Sequence, residues 1–168
     1  MEVNYLPALE AIFFASGEPV SISKIAKVFE IPELEAFNLC EKLKQKLNKS
    51  SSGVKLVKIK ESYQMCTKSE YKKYISEIMN LKKKTPLSCA AMEVLAIIAY
   101  NEPVTRAFVD QVRGVDCAYL IGSLCQKGLV EERGRLELPG RPLLYGVTDN
   151  FLRCFNLETL QDLPLIPK

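Results

Sequence analysis

The sequence predicts an α+β fold, mostly helical, built of two tandem winged helix-turn-helix domains. Three observations predict it. First, the chain repeats itself. Residues 11–28, AIFFASGEPVSISKIAKV, align with 95–112, LAIIAYNEPVTRAFVDQV, at an offset of 84, half of the 168 residues. Glu18-Pro19-Val20 matches Glu102-Pro103-Val104, Ser21 matches Thr105, and Ile25 and Val28 match Val109 and Val112. Self-similarity at a fixed spacing signals a duplicated unit. Second, each half runs through three amphipathic stretches, then two short strand-like runs, then a further helical stretch. Third, 48% hydrophobic and 26% charged residues supply a core and exclude a disordered chain.

In the first half, Pro7 suits the opening turn of a helix, where its missing N–H costs nothing. Leu9 to Ala15 is apolar except for Glu10. Gly17 ends this helix and Pro19 forces an extended step. Ser21 caps a second helix reaching Val28, with Ile22, Ile25, Ala26 and Phe29 inward. Pro32 opens a third, Glu33 to Leu47, with the stripe Leu34, Phe37, Cys40, Leu43 and Leu47. Asn48 to Gly53 is a polar turn. Runs 54–59 and 63–67 form a hairpin turning at Glu61-Ser62. A helix from Ser69 to Leu81 closes the half. Lys82-Lys83-Lys84-Thr85-Pro86 reads as a linker between domains 1–84 and 85–168.

The second half repeats the plan. Ser88 caps a helix that is apolar from Ala90 to Tyr100 except for Glu93. Thr105 caps the next, which ends at Gly114. Asp116 begins the third, with Leu120, Ile121, Leu124 and Cys125 inward, ending at Gly128. Leu129–Arg133 and Leu143–Val147 are the wing strands, joined by a loop shaped by Gly134, Pro139, Gly140 and Pro142. Thr148 to Phe155 is a last helix, and Leu157 to Pro164 a short apolar tail.

Charge divides unevenly. Residues 1–84 hold 15 Lys, no Arg and 10 acids; residues 85–168 hold 6 Arg, 2 Lys and 10 acids. Arg is favoured where planar hydrogen bonding or stacking is needed, so the second half is the better place for specific contacts. The six Cys include no C-x-x-C pair and read as reduced, buried small hydrophobes of a cytosolic protein. His is absent, which removes His-based triads and the commonest metal ligand. Glu131-Glu132 sits on a strand, where neighbours point to opposite faces, so the two do not make an acid–base pair. There is no phosphate loop, metal cluster or nucleophile elbow. The expectation is no enzyme activity, no catalytic residue, no metal and no cofactor. The N-terminus carries no signal peptide and no apolar run reaches membrane-spanning length.

Both opening helices are more apolar than one wet face allows. Phe13 and Phe14, like Ile97 and Ile98, are about 100° apart on a helix, so burying each pair needs a wide apolar arc. A winged-helix core accounts for much of that arc; a partner or sister chain would complete it. Arg106, Arg113, Arg133, Arg135 and Arg141 have two readings. One is internal pairing, Arg113 near Asp116 and Arg106 with Asp110 at helical spacing. The other is anchoring a partner peptide, with Tyr100, Tyr119 and Tyr145 as apolar companions. A DNA reader sets the start of its third helix against base edges. Here those starts carry Glu33 and Glu35, and Asp116, which repel phosphate. Only weak, non-specific DNA contact through Lys42, Lys44, Lys46, Lys82, Lys83 and Lys84 stays open.

LSCAAMEVLAIIAYNEPVTR, then RGVD at 113–116, KGLVEERGRLELPGRPLLYGVT, Phe151-Leu152 and Asp162–Pro164 closely resemble the segregation and condensation protein B family, ScpB. The first half matches by its helix pattern and Gly17–Val20. The resemblance implies two winged-helix domains, a homodimer made largely by the N-terminal domains, and a grip on the middle of the kleisin ScpA. Through the kleisin it implies association with the SMC ATPase and the nucleoid in the cytoplasm, supporting chromosome condensation and segregation during cell division, without catalysis. The expected kleisin-facing residues are Ile97, Tyr100, Arg106, Arg113, Tyr119, Arg141 and Tyr145; Phe13 and Phe14 are expected at the dimer interface. Three positions depart from the family pattern. Glu102 stands where Gln is usual, placing a charge on a turn that could face the partner. Cys117 stands for Ser. Asn156 stands for Gly at a helix end, where Asn is the next best left-handed residue. The alternative is a dimeric winged-helix DNA-binding transcriptional regulator.

Overall fold

The computed structural model describes residues 4–49, 51–79 and 86–165. The chain forms two compact units, Met1–Lys83 and Lys84–Lys168. The linker residues 82–85 lie outside the described residues.

In the first unit, α1 (Tyr5–Ser16) starts on Asn4, whose side chain accepts from the Leu6 amide, and stops at Gly17 in the left-handed region at φ 63°. Two residues, Val20–Ser21, form β1, and Ser21 caps α2 (Ile22–Phe29) as expected. α3 (Glu33–Lys49) follows Glu30, a left-handed turn residue. β2 (Val54–Ile59) and β3 (Ser62–Thr67) make the hairpin. Their connection is Lys60-Glu61, with Lys60 at φ 51°, one residue earlier than the sequence indicated. β1 adds to the far edge of β3, giving sheet order β1-β3-β2, all antiparallel. The expected helix 69–81 is a 3-10 turn, Ser69–Tyr71, running into α4 (Lys72–Ile78); residues 80 and 81 lie outside the described residues.

The core joins Leu9 and Phe13 of α1, Ile22, Ile25 and Ala26 of α2, and Ala36, Cys40, Leu43 and Leu47 of α3, with Leu56 and Tyr63 beneath. α3 buries positions 36, 40, 43 and 47. Leu34 is therefore not in the stripe: it lies two residues, about 200°, from Ala36 and is 71% exposed. Tyr63 is buried with its hydroxyl donating to Glu41 Oε1 at 2.6 Å. Gln64 is buried and donates to the Gly17 carbonyl at 2.7 Å, tying β3 to the end of α1.

The second unit has the same order: α5 (Cys89–Asn101), β4 (Val104–Thr105), α6 (Arg106–Arg113), α7 (Ala118–Gln126), β5 (Val130–Arg135), β6 (Leu143–Val147) and α8 (Asp149–Phe155). Its sheet order is β4-β6-β5, with a bulge between Glu132 and Gly134. Ser88, Thr105 and Thr148 cap α5, α6 and α8 through their hydroxyls. α7 starts at Ala118, two residues later than the sequence indicated, with Cys117 in the cap position; Asp116 lies just before it, Oδ1 accepting from the Ala118 amide at 2.8 Å. Asn156 ends α8 in the left-handed region at φ 57°, the conformation the substitution of Asn for Gly anticipates. The tail adds a 3-10 turn at Leu160–Asp162.

Each unit is a winged helix, three helices and a hairpin followed by a fourth helix, and the α+β, mostly helical class is as the sequence predicts. Their first helices are not in the register that the sequence repeat suggests. α1 buries Leu9 and Phe13, while α5 buries Val94 and Ile98, an offset of 85. β1 and β4 keep the offset of 84. The difference lies in the connection: Gly17-Glu18-Pro19 before β1, but Glu102-Pro103 before β4.

Candidate protein-docking surfaces

α1 turns Pro7, Ala8, Ala11, Phe14, Ala15 and, at its end, Ser16 outward. These recur at helical spacing and all but Ser16 are apolar. Phe14 is 80% exposed whereas Phe13 is 1% exposed. The expectation that both form a dimer surface is thus corrected for Phe13, which the core takes, leaving Phe14 outside. On α5 the outward positions are Cys89, Met92, Glu93, Ala96 and Tyr100, with Ile97 half-buried beside them. This face too is largely apolar.

Ile97 and Tyr100 share one turn of α5, and Glu93 lies one turn earlier on the same face. Arg113, at the C-terminal end of α6, forms an ion pair with Glu93. Its expected partner Asp116 instead accepts from the Ala118 amide ahead of α7. Among the described residues, Arg113 Nε is the buried side-chain nitrogen left without a hydrogen-bond partner. Glu93, Arg113, Ile97 and Tyr100 therefore form one strip.

A second group gathers at the wing. Arg106 follows Thr105, which pairs with Leu144, while Val104 pairs with Tyr145. Arg106 Nε lies 3.5 Å from Asp110 Oδ2, the helical pairing anticipated. Burial, with Glu132 as the next cause, pushes the Tyr145 hydroxyl up from its ordinary range, against Arg106 and Arg135 which lower it. These charges surround one tyrosine. Arg141 sits at the turn of the loop with φ 38°, bridged to Glu137 Oε1 at 3.1 Å, and its carbonyl accepts from Arg135 at 3.0 Å. Tyr119, on α7, is 85% exposed. The seven expected residues thus fall into the α5 strip, the wing group and Tyr119 on α7.

Sequence reasoning missed the role of Glu102. Its carboxylate accepts from the Val147 amide, and Arg133 donates to the Val147 carbonyl at 2.7 Å. Both backbone groups of Val147 are therefore held by side chains. A Cβ at Gly146 would come within 2.9 Å of Arg133 Cγ and of Glu102 Oε2. Glu102 is thus an internal brace for the wing. Gly146 itself was the available signal, a glycine inside a strand marking close approach.

The first turn of α3 presents Glu33 and Glu35 to solvent, so the acidic character of the reading position stands. Lys46 is engaged with Glu10 at 3.3 Å, and Lys82, Lys83 and Lys84 lie outside the described residues. Among the described residues no group of His, Cys, Asp and Glu is placed to hold a metal, and no helix is long and apolar enough to cross a membrane. All six Cys are free thiols. Cys40 and Cys117 are buried as expected, but Cys89 and Cys154 are exposed. Burial, then the carboxylate of Glu41, pushes the Cys40 thiol up to about 12, the opposite of an activated nucleophile.

Residues 7–166 match the family model described as Segregation and condensation complex subunit ScpB. A Segregation and condensation protein B from Ruminiclostridium cellulolyticum is 41% identical over 167 residues, covering 99% of this chain and 88% of that protein. One from Clostridium acetobutylicum is 42% identical over 156 residues, covering 93% and 77%. A solved structure of a dimer of ScpB N-terminal domain complexed with ScpA peptide aligns with 34% identity over 44% of this chain and 91% of that chain, at a TM-score of 0.42.

Proposed function

This chain belongs to the segregation and condensation protein B family, and from that premise we propose that it is a non-enzymatic, homodimeric subunit of a bacterial SMC–kleisin complex. It binds the kleisin ScpA, reaches the SMC ATPase through it, and acts in the cytoplasm at the nucleoid in chromosome condensation and segregation. The first unit makes the dimer and the second binds the kleisin, with DNA contact at most weak and non-specific. The observation that carries the reading is the family match over residues 7–166.

The two outward apolar helix faces support the docking part. Large exposed apolar patches are otherwise uncommon on monomers. Phe14 on α1 serves the dimer. The α5 strip, the wing group around Tyr145 and Arg106, and Tyr119 and Arg141 serve the kleisin, since Tyr and Arg dominate binding hot spots. The exposed acids at the start of α3 argue against a DNA reader.

The test is a sizing column at physiological salt, run with the kleisin and separately with duplex DNA. Co-elution with the kleisin is expected. A stable complex with DNA and none with the kleisin would overturn the reading.

A further inference from the structure

The C-terminal segment of the second unit lies against the end of α5 without being built into it. Its turn closes on itself. Asp162 Oδ2 accepts from the Glu158 and Thr159 amides at 3.0 and 2.8 Å, and Thr159 Oγ1 accepts from the Gln161 amide at 3.2 Å. The chain then leaves the turn extended at Leu163. What ties it to the helix is the Tyr100 hydroxyl, donating to the Pro164 carbonyl at 2.6 Å. Leu160 and Leu163 are only half-buried and Leu165 is 95% exposed. A cleft of about 390 Å³ remains between segment and helix, with Ala99, Tyr100 and Glu102 on one wall and Leu160, Leu163 and Pro164 on the other.

The floor of this cleft is firm. Ala99 is buried, Asn101 Nδ2 donates to the Ile97 carbonyl at 2.8 Å, and Glu102 is fixed to the Val147 amide. The cover is tied loosely. Segments with few buried contacts open at low free energy while the frame beneath stays closed. The cover also displays the chemistry that fits. Leu163-Pro164-Leu165 is extended, proline brings no N–H to strand against the helix, and its carbonyl meets a phenolic donor.

We propose that Leu160–Leu165 is a displaceable strap over a peptide groove at the C-terminal end of α5. The groove accepts an extended apolar segment of the Leu-Pro-Leu type, and the chain's own tail is its resident occupant. The groove shares Tyr100 with the strip assigned to the kleisin, but the strap's hold on its own helix is measured with no kleisin present, so the two readings fail separately.

The probe is a fluorescein-labelled synthetic peptide spanning residues 157–168, followed by fluorescence anisotropy. The receptor is the full chain carrying L160D and L163D, positions exposed enough to accept charge without loss of the core; L163D alone serves if the double variant does not fold. The variant binds the peptide saturably. The unaltered chain binds it at least about tenfold more weakly, because an intramolecular competitor acts at high effective concentration. Adding Tyr100→Phe to the variant weakens the peptide by about three- to tenfold, the range of one net hydrogen bond. No saturable binding to the strap variants, equal binding to the unaltered chain, or indifference to Tyr100→Phe would each overturn the proposal.

Discussion

The first helices of the two units share an excess of apolar residues and differ at their C-terminal ends. α1 leaves Phe14 standing 80% exposed, while Ala99, its equivalent when the buried positions are superposed, is 4% exposed. Ala99 lies under the C-terminal tail, and the first unit has no such segment on α1 among its described residues. At the end of α1, Ser16 turns its hydroxyl back to the Phe13 carbonyl at 3.3 Å. At the end of α5, Tyr100 reaches 64 residues along the chain to the tail. The difference teaches that apolar excess in a helix does not say what covers it. In the second unit the tail meets the C-terminal end of α5 and leaves Met92 and Ala96 outward; in the first, no described segment meets the corresponding end of α1.

The sharpest way to test the contrast is at the adjacent phenylalanines. Phe13→Ala should destabilise the first unit by about 3–5 kcal/mol, as a fully buried aromatic. Phe14→Ala should move the folded monomer by no more than about 0.5 kcal/mol. Urea denaturation of both variants checks this, and equal effects would break the assignment of faces.

The thiols offer a second contrast of similar size. Cys40, pushed up to about 12 by burial, should resist maleimide while the first unit is folded, whereas the exposed Cys89 and Cys154 label quickly at neutral pH. The sign for stability follows. The unfolded thiol ionises above its ordinary value of 9.0 while the folded one holds its proton, so the first unit loses stability as pH rises from about 9 toward 12. Cys40→Ala should flatten that alkaline decline in a melting series.

Next in size, Phe14→Glu should leave the fold intact and weaken self-association by about 2 kcal/mol or more, some thirtyfold. Sedimentation equilibrium measures it, and an unchanged dimer would move the interface elsewhere in the first unit.

The smallest effects distinguish two arginines. Arg113→Ala should cost about 1 kcal/mol, because its side chain is mostly buried as well as paired with Glu93. Arg106→Ala, which removes an exposed helical pair, should cost about 0.3–0.5 kcal/mol. Thermal denaturation ranks them; the reverse order would show that the strip along α5 is not braced by Arg113.

Much of this is legible in the sequence. The caps at Ser21, Ser88, Thr105 and Thr148, the stops at Gly17 and Gly114, and the left-handed Asn156 are local chemistry, and local chemistry is written in neighbouring residues. Leu34 was misread because a 3.6-residue period allows more than one stripe in a helix rich in leucine. The short strands β1 and β4 were missed because two residues carry no alternation; pairing across the sheet makes them. Arg113 with Glu93, Glu102 with Val147 and Tyr100 with Pro164 join positions 20, 45 and 64 residues apart. No spacing rule reaches that far, so the candidate surface was legible as residue types and not as groups.

Gly146 carries a consequence for how this chain can change. Arg133 and Glu102 occupy the space that any side chain at 146 would enter, and both are fastened to the next residue, Val147. The three positions are therefore not free to vary independently. An alanine at 146 has to displace both braces, so a variant already lacking one of them still meets the other, and only a variant lacking both accepts the alanine at little further cost. The order in which substitutions arrive decides which of them survive, so this corner of the wing preserves a history that single substitutions, scored one at a time, would misjudge.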